Sequence, residues 1–370
     1  VSHRTIRVSL PDSSDPASDR SYDIVVGSGV LGSAGGALKT AGASRCVVIA
    51  DSAVIGSHAA NAHASLRAAG LDTAVLAVPS GEASKSVAEA GRLWGELARL
   101  AVDRGTHIMA VGGGVVGDLA GFVASTFARG LPVWQVPTTL VAQVDSAIGG
   151  KTGINLDAGK NLVGAFWQPR GVLSDIDTLA TLPEREFTSG LAEVVKYGMI
   201  LDAEFFDWLD ANARRVLDRE PAALLHVVER SAALKAGVVE QDEHERSGLR
   251  AVLNYGHTFG HAFETAAGYG TLLHGEAVAI GMAAAAKLAE LLGRIPSDVV
   301  ARQESLLRSL RLPTATDALR GTTADALLAI MARDKKTLGG RLRFVLPSRI
   351  GHVELVDGVD PALVRRVLGT

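Results

Sequence analysis

GGGVVGD at 112–118, RGLPVWQVPTTLVAQVDSAIGGKTGIN at 129–155 and LDAGK at 156–160 decide the fold. The apolar run His107–Val111 before them reads as a buried strand, and Asp118 is expected to open an amphipathic helix. A strand, a glycine turn and a helix start present bare backbone N–H groups to an anion, and the helix dipole favours negative charge there. Thr138, Thr139, Asp145, Lys151, Asn155 and Lys160 follow among glycines and small residues. Polar groups that dense in an apolar neighbourhood indicate a binding crevice rather than a solvated face.

Upstream, residues 4–10 alternate as a strand does, and Asp12 to Asp19 read as a loop. Tyr22–Val26 reads as a second strand, followed by Gly27-Ser-Gly29-Val-Leu-Gly32, a literal GxGxxG, and by Asp51 at the end of the next strand. On paper this is the dinucleotide fingerprint. A chain with 41 glycines produces such matches by chance, and Gly112 to Gly117 matches as well. Asp51 fits either a ribose contact or a helix N-cap. Helix 56–69, strand 73–78 and helix 86–100 continue an alternation that predicts a parallel sheet with helices on its faces. Pro79 to Lys85 forms a polar loop at a strand end, where ligands of such sheets sit.

After about Pro183 strand patterns nearly vanish. Helices are expected over 184–200, 202–217, 220–241, 248–266, 274–292, 297–309 and 323–333, with one extended run at 341–346. The predicted organisation is an α/β, Rossmann-like domain over 1–182 and a mostly α-helical domain over 183–370.

The chain has 370 residues, 47% of them apolar and 21% charged, as in an ordinary soluble protein of two domains. A formal charge of −3 gives no electrostatic reason to expect nucleic acid or a membrane surface. The single cysteine, Cys46, lies in an apolar run and reads as a core residue, which fits a reducing compartment. No signal-peptide pattern stands at the start, and the longest apolar runs are broken before they could span a bilayer. These features point to the cytoplasm.

The helical half carries a second polar cluster. On one helix, Arg250, Asn254, His257 and His261 would share a stripe about 60° wide on an otherwise apolar surface. Histidines at i and i+4 can share a divalent metal, or supply one ligand and one proton donor. His274 heads the next helix, and Glu193 and Lys196 stand i, i+3 on a third. Glu plus two His with open positions is a reasonable catalytic Zn²⁺ set, although the spacing is not HExxH.

With these residues in place, the chain resembles the 3-dehydroquinate synthases from about Tyr22 to Pro347. The resemblance is carried by GGGVVGDLAGF at 112–122, QVPTTLVAQVDSAIGGKTGIN at 135–155, GKNLVGAFWQP at 159–169, LPEREFTSGLAEVVKYG at 182–198, LNYGHTFGHAFE at 253–264, LLHGEAVAIGM at 272–282 and RDKK at 333–336. It implies a dehydroquinate synthase-like fold and conversion of 3-deoxy-arabino-heptulosonate 7-phosphate to 3-dehydroquinate and phosphate. The family route is transient oxidation of the C5 hydroxyl by NAD⁺, β-elimination, re-reduction and intramolecular aldol closure.

By that resemblance Glu193, His257 and His274 bind Zn²⁺ (or Co²⁺). NAD⁺ falls to Asp51, to Ser80, Gly81, Glu82, Ala83, Ser84 and Lys85, to Gly114, Val115, Val116, Gly117 and Asp118, to Thr138, Thr139, Lys151 and Lys160, and to Thr178, Leu179, Ala180 and Thr181. Asp145, Lys151, Asn161, Lys196, Lys235, Arg250, Asn254, His261 and Lys335 (or Lys336) surround the substrate, a sugar phosphate bearing a carboxylate. Arg129 reaches the phosphate across a homodimer interface. Sister cyclases acting on other sugar phosphates, the aminated heptulosonate included, share most of this inventory. Metal-dependent polyol dehydrogenases share the scaffold, but the cationic substrate set argues against an uncharged polyol. A non-catalytic homologue would hold no metal.

Overall fold

The computed structural model describes residues 3–11, 19–268, 270–319, 321–335 and 342–369. By internal contacts the chain divides into Val1–Leu182 with Leu224–His244, and Pro183–Ala223 with Glu245–Thr370.

The first unit is built on β1 (Arg4–Val8), β2 (Tyr22–Gly27), α1 (Ala34–Thr40), β3 (Arg45–Asp51), α2 (His58–Ala68), β4 (Asp72–Val78), α3 (Val87–Arg99), β5 (His107–Gly112), α4 (Gly114–Thr126) and β6 (Val133–Pro137). A hairpin of β7 (Lys151–Leu156) and β8 (Gly159–Phe166) follows, then β9 (Gly171–Asp175). Seven strands form one sheet in the order β1-β2-β9-β6-β5-β3-β4. The edge pair β1/β2 is antiparallel and the other pairings are parallel. Continuous apolar runs such as Val47–Ala50 and Ile108–Val111 are buried on both faces, as a covered parallel sheet requires. Leu38 and Leu66 pack on one face, and Leu93, Leu97, Leu119 and Val123 on the other.

From β3 the chain steps outward to β4 and then returns to the opposite side of β3 as β5. Ligands of open α/β sheets bind at such a reversal, outside the carboxyl ends of the strands. The ends concerned are Asp51 and Gly112.

The two glycine motifs have different uses. At the first, Gly29 takes φ 73°, and its N–H donates to Asp175 Oδ1 at 3.1 Å and Asp177 Oδ2 at 3.0 Å. The Leu31 N–H donates to Asp175 Oδ2 at 2.9 Å. Carboxylates from the end of the neighbouring strand β9 thus occupy the donors that a phosphate would need. The second turn lies directly beside Asp51: a Cβ on Gly112 would stand 3.1 Å from that of Asp51. One expectation is corrected here, since α4 starts at Gly114 and Asp118 lies inside its first turns.

The second unit contains α5 (Glu184–Leu201), α6 (Ala203–Leu217), α8 (His257–Ala267), α9 (His274–Leu291), α10 (Ser297–Ser309), α11 (Ala324–Lys335), the antiparallel pair β10 (Arg343–Arg349) and β11 (His352–Asp357), and α12 (Pro361–Leu368). Helix α7 (Pro221–Gln241) separates α6 from α8 in the chain, and its residues from Leu224 onward belong to the first unit. Polar anchors hold it there: Glu240 Oε1 accepts from the Ser9 amide at 2.6 Å, and Lys235 Nζ donates to the Asp145 carbonyl at 2.6 Å.

The helix expected over 248–266 is broken. A 3₁₀ turn at Leu249–Asn254 is followed by extended Tyr255 and by Gly256 at φ 80° before α8 begins. Arg250 and Asn254 therefore do not share a helical stripe with His257 and His261. The cause is the close packing of α8 on α9. A Cβ on Gly256 would lie 2.9 Å from the Val278 carbonyl oxygen, and one on Gly281 2.1 Å from that of Gly256. A Cβ on Gly275 would stand 1.8 Å from the Ser189 carbonyl oxygen, so α5 and α9 also touch backbone to backbone.

Candidate active site

Those glycine contacts bring three helices of the second unit together around Glu193. Glu193 on α5 is fully buried, and its Oε2 pairs with Lys196 Nζ one turn on, itself 2% exposed. Its Oε1 lies 3.5 Å from His257 Nε2 at the start of α8 and 3.6 Å from His274 Nε2 at the start of α9. Ligand bonds of about 2.0–2.1 Å meeting at a tetrahedral angle place their donors about 3.4 Å apart. All donor pairs of this trio fall within 4.8 Å, so the set fits one divalent cation with little rearrangement.

The two imidazoles sit in different electrostatic surroundings. Burial, then Lys196, pushes His257 down to about 3, which leaves its ring neutral. Burial opposes charge on His274 as well, but Glu193 and Glu264 outweigh it and lift the ring to about 9. His261 stacks edge-on with His257 at 5.5 Å between centroids and is exposed, outside the donor trio. Arg250 is buried, with Nε 3.7 Å from Glu245 Oε1, and Asn254 is exposed at the end of its 3₁₀ turn. Lys335 ends α11, and its side chain and Lys336 lie outside the described residues.

Glu264 was not singled out from the sequence. Its Oε2 lies 3.8 Å from His274 Nδ1. Its signal was the i, i+4, i+7 spacing of His257, His261 and Glu264, which puts all three on one face of α8.

In the first unit, Asp51 caps the turn after β3 by accepting from the Ala53 amide at 2.8 Å, and also accepts from the Ser80 hydroxyl. The N-cap reading of Asp51 is therefore correct, and Ser80 ties it to the 80–85 loop. Lys85, almost wholly buried, donates to Asp118 at 2.7 Å and to the Asn161 side chain. Burial raises the Asp118 carboxyl above its usual range against the pull of Lys85. Asn155 locks the arrangement. It donates to Glu82 at 2.7 Å and accepts from the Asn161 amide at 2.8 Å. Asn161 takes φ 55°, a left-handed conformation that Asn tolerates.

Thr139 and Ser146 press on the glycine turn; a Cβ on Gly114 would lie 2.8 Å from Ser146 Oγ. Thr138 is tied to the same turn, its amide donating to the Gly112 carbonyl at 2.9 Å. Asp145 sits in a π-helical turn, Ala142–Ser146, a distortion frequent at functional sites, and accepts from Lys235 at 2.7 Å. Buried Gln143 donates to Thr178 Oγ1 at 3.1 Å and so positions the Ile176–Thr181 turn. Lys151 and Lys160 are exposed on the β7/β8 hairpin. Arg129 is exposed on a turn where Ala128, Arg129 and Gly130 all have positive φ.

Known proteins decide the family. Models described as "3-dehydroquinate synthase N-terminal" and "3-dehydroquinate synthase C-terminal" match residues 75–189 and 190–337. The curated 3-dehydroquinate synthase of Methylococcus capsulatus is 49% identical, covering 95% of this chain and 96% of its own. That of Rhodopirellula baltica is 47% identical over 92% of both. The chain belongs to the 3-dehydroquinate synthase family.

Solved structures agree on the fold of the family. ValA (2-epi-5-epi-valiolone synthase) from Streptomyces hygroscopicus subsp. jinggangensis, with NAD⁺ and Zn²⁺ bound, superposes with a TM-score of 0.86 at 30% identity, covering 94% of this chain and 95% of its own. A 2-deoxy-scyllo-inosose synthase complexed with carbaglucose-6-phosphate, NAD⁺ and Co²⁺ gives 0.86 at 28% identity over 99% of both. Among the described residues no helix is long and apolar enough to cross a membrane.

Proposed function

We propose that this family member converts 3-deoxy-arabino-heptulosonate 7-phosphate to 3-dehydroquinate and phosphate, as a cytoplasmic homodimer that uses NAD⁺ and Zn²⁺ or Co²⁺. The observation that carries the reading is the Glu193, His257 and His274 trio, at metal-donor spacing in a chain whose curated relatives are 3-dehydroquinate synthases. Bound metal supplies a Lewis acid for the substrate's vicinal oxygens, and bound NAD⁺ a reversible hydride acceptor.

The chain's own groups then have distinct tasks. Glu193, His257 and His274 hold the metal, and Lys196 pairs with the Glu193 carboxylate and fixes its orientation. Asp51, the 80–85 loop, Gly114–Asp118, Thr138, Thr139, Lys160 and the 178–181 turn hold the dinucleotide. Their place at the sheet's reversal supports this assignment. Lys151, Lys235 and Arg250 meet the phosphate and carboxylate, for which ammonium and guanidinium groups are suited, and Asn161 and Asn254 add neutral amide partners. Asp145 holds Lys235 in place, and His261 exchanges a proton on the phosphate side. Arg129, exposed on its strained turn, serves the phosphate in the second protomer.

The test is phosphate release from the purified protein with the heptulosonate phosphate, NAD⁺ and Zn²⁺ or Co²⁺ while absorbance at the NADH band is followed. Sedoheptulose 7-phosphate and the aminated heptulosonate are run in parallel. Phosphate release without accumulating NADH, on the heptulosonate alone, is expected. Turnover of only another sugar phosphate would move the assignment to a sister cyclase, and NADH formed from simple polyols would reject cyclisation.

A further inference from the structure

We propose that Glu264 is a positioning residue of the metal centre, setting the tautomer and ligand strength of His274 through Nδ1 of that ring. The inference rests on reading Glu193, His257 and His274 as a metal set. Both imidazoles turn Nε2 towards Glu193 Oε1, at 3.5 and 3.6 Å, so each ring has Nδ1 on its far side. An imidazole that gives its Nε2 lone pair to a cation carries its proton on Nδ1, and an acceptor there fixes the ring and strengthens the ligand. His257 has a neutral acceptor, the Tyr255 carbonyl oxygen, 3.1 Å from Nδ1. His274 instead faces a carboxylate, Glu264 Oε2 at 3.8 Å, on a side chain only 13% exposed.

Charge gives an independent reason for the difference. Lys196 already pairs with Glu193 Oε2, so the one carboxylate among the donors is shared between an ammonium and the cation. Glu264 supplies a second negative charge against a divalent ion without entering the donor trio. The placement follows from local geometry. Glu264 lies two turns along α8 from His257, and α9 approaches α8 so closely that a Cβ on Gly260 would stand 3.0 Å from the Ala277 carbonyl oxygen. That approach sets His274, the first residue of α9, opposite the Glu264 side chain.

The experiment measures Zn²⁺ and Co²⁺ dissociation constants of the stripped full-length protein by competition with a chromophoric chelator, together with the Co²⁺ visible spectrum. Glu264→Ala is expected to weaken both ions by about ten- to a hundredfold and to shift the Co²⁺ bands. Glu264→Gln keeps an acceptor without the charge and is expected to lose less. Wild-type affinity and spectrum in Glu264→Ala would overturn the proposal. So would equal losses in both variants accompanied by a matching fall in unfolding temperature of the metal-free chain, the signature of a purely structural role. Failure of the wild-type chain to take up either ion would remove the metal set itself, and this is seen before any variant is made.

Discussion

Glu193 and Lys196 form a buried ion pair that makes sense only with a third charge in view. An isolated buried pair gains little over an apolar pair, because desolvation of both ions offsets their attraction. Here the carboxylate also faces two imidazoles at donor distance, an arrangement that fits a cation, and Lys196 pairs with the oxygen turned away from them. Lys196→Met should destabilise the metal-free chain by about 3 kcal/mol, since it strands a buried carboxylate. Saturating Zn²⁺ should recover much of that loss. Denaturant unfolding with and without metal checks this, and an equal deficit in both would separate Lys196 from the metal set. His257→Ala should lose metal and activity together; a full metal complement in that variant would take His257 out of the donors.

The elements hold these residues through backbone contacts that only glycine allows. Gly256 meets both requirements at once, a φ of 80° and an approach to α9 that leaves no room for a Cβ. Gly256→Ala should therefore cost at least about 2 kcal/mol and displace His257, the next residue, lowering metal content as well as unfolding temperature. Normal metal content in a destabilised variant would show that the break does not position the ligand. At the start of α9, Glu276 accepts from the Leu273 amide at 2.8 Å and from Arg185 Nε at 2.7 Å. Burial would raise its pKa, but Arg185 and that amide outweigh burial and hold the carboxyl below its usual value. A depressed folded pKa means this contribution is present above the unfolded value and lost as pH falls through the folded one. Glu276→Gln should thus cost about 1 kcal/mol near neutral pH and progressively less as pH falls below the ordinary carboxylate range, read from paired denaturant curves.

These element-scale features mark the limit of what the sequence made legible. Helices with a one-sided apolar pattern fell where expected, α6 at Ala203–Leu217 and α10 at Ser297–Ser309 among them. The hairpin β7/β8 left little pattern, because much of it is exposed and Gly153 and Gly164 are spent on backbone contact. The break before His257 was hidden because Gly256 acts through a helix about twenty residues away. The wheel therefore aligned four polar residues on a continuous helix that they do not share. Glu193 and the three histidines were legible as candidate ligands from their chemistry, but the choice of Glu193, His257 and His274 came only through the resemblance, since three separate helices supply them. Glu264 needed the structure, because its spacing from His257 and His261 marks a shared face of α8 but not the imidazole of another helix that it meets.

At the scale of the whole molecule, the residues proposed to hold the dinucleotide and those proposed to hold the metal belong to different compact units, so each of these two ligands is expected to stabilise the unit that holds it. Cys46 offers a probe of the first unit alone. It lies on β3, hydrogen-bonded between β4 and β5, fully buried, and burial pushes its thiol up to about 12. At pH about 8 only about one such thiol in ten thousand would be ionised, even before access is considered. Labelling by a thiol reagent should be undetectable in the native chain and should appear with denaturant as the sheet opens. NAD⁺ at about a hundred times its dissociation constant should add about 2.7 kcal/mol to the stability read by Cys46. The labelling midpoint must then move to higher denaturant. If NAD⁺ leaves that midpoint in place while binding is saturated, the dinucleotide is not held by the sheet that contains Cys46, and its assignment to the reversal between Asp51 and Gly112 fails.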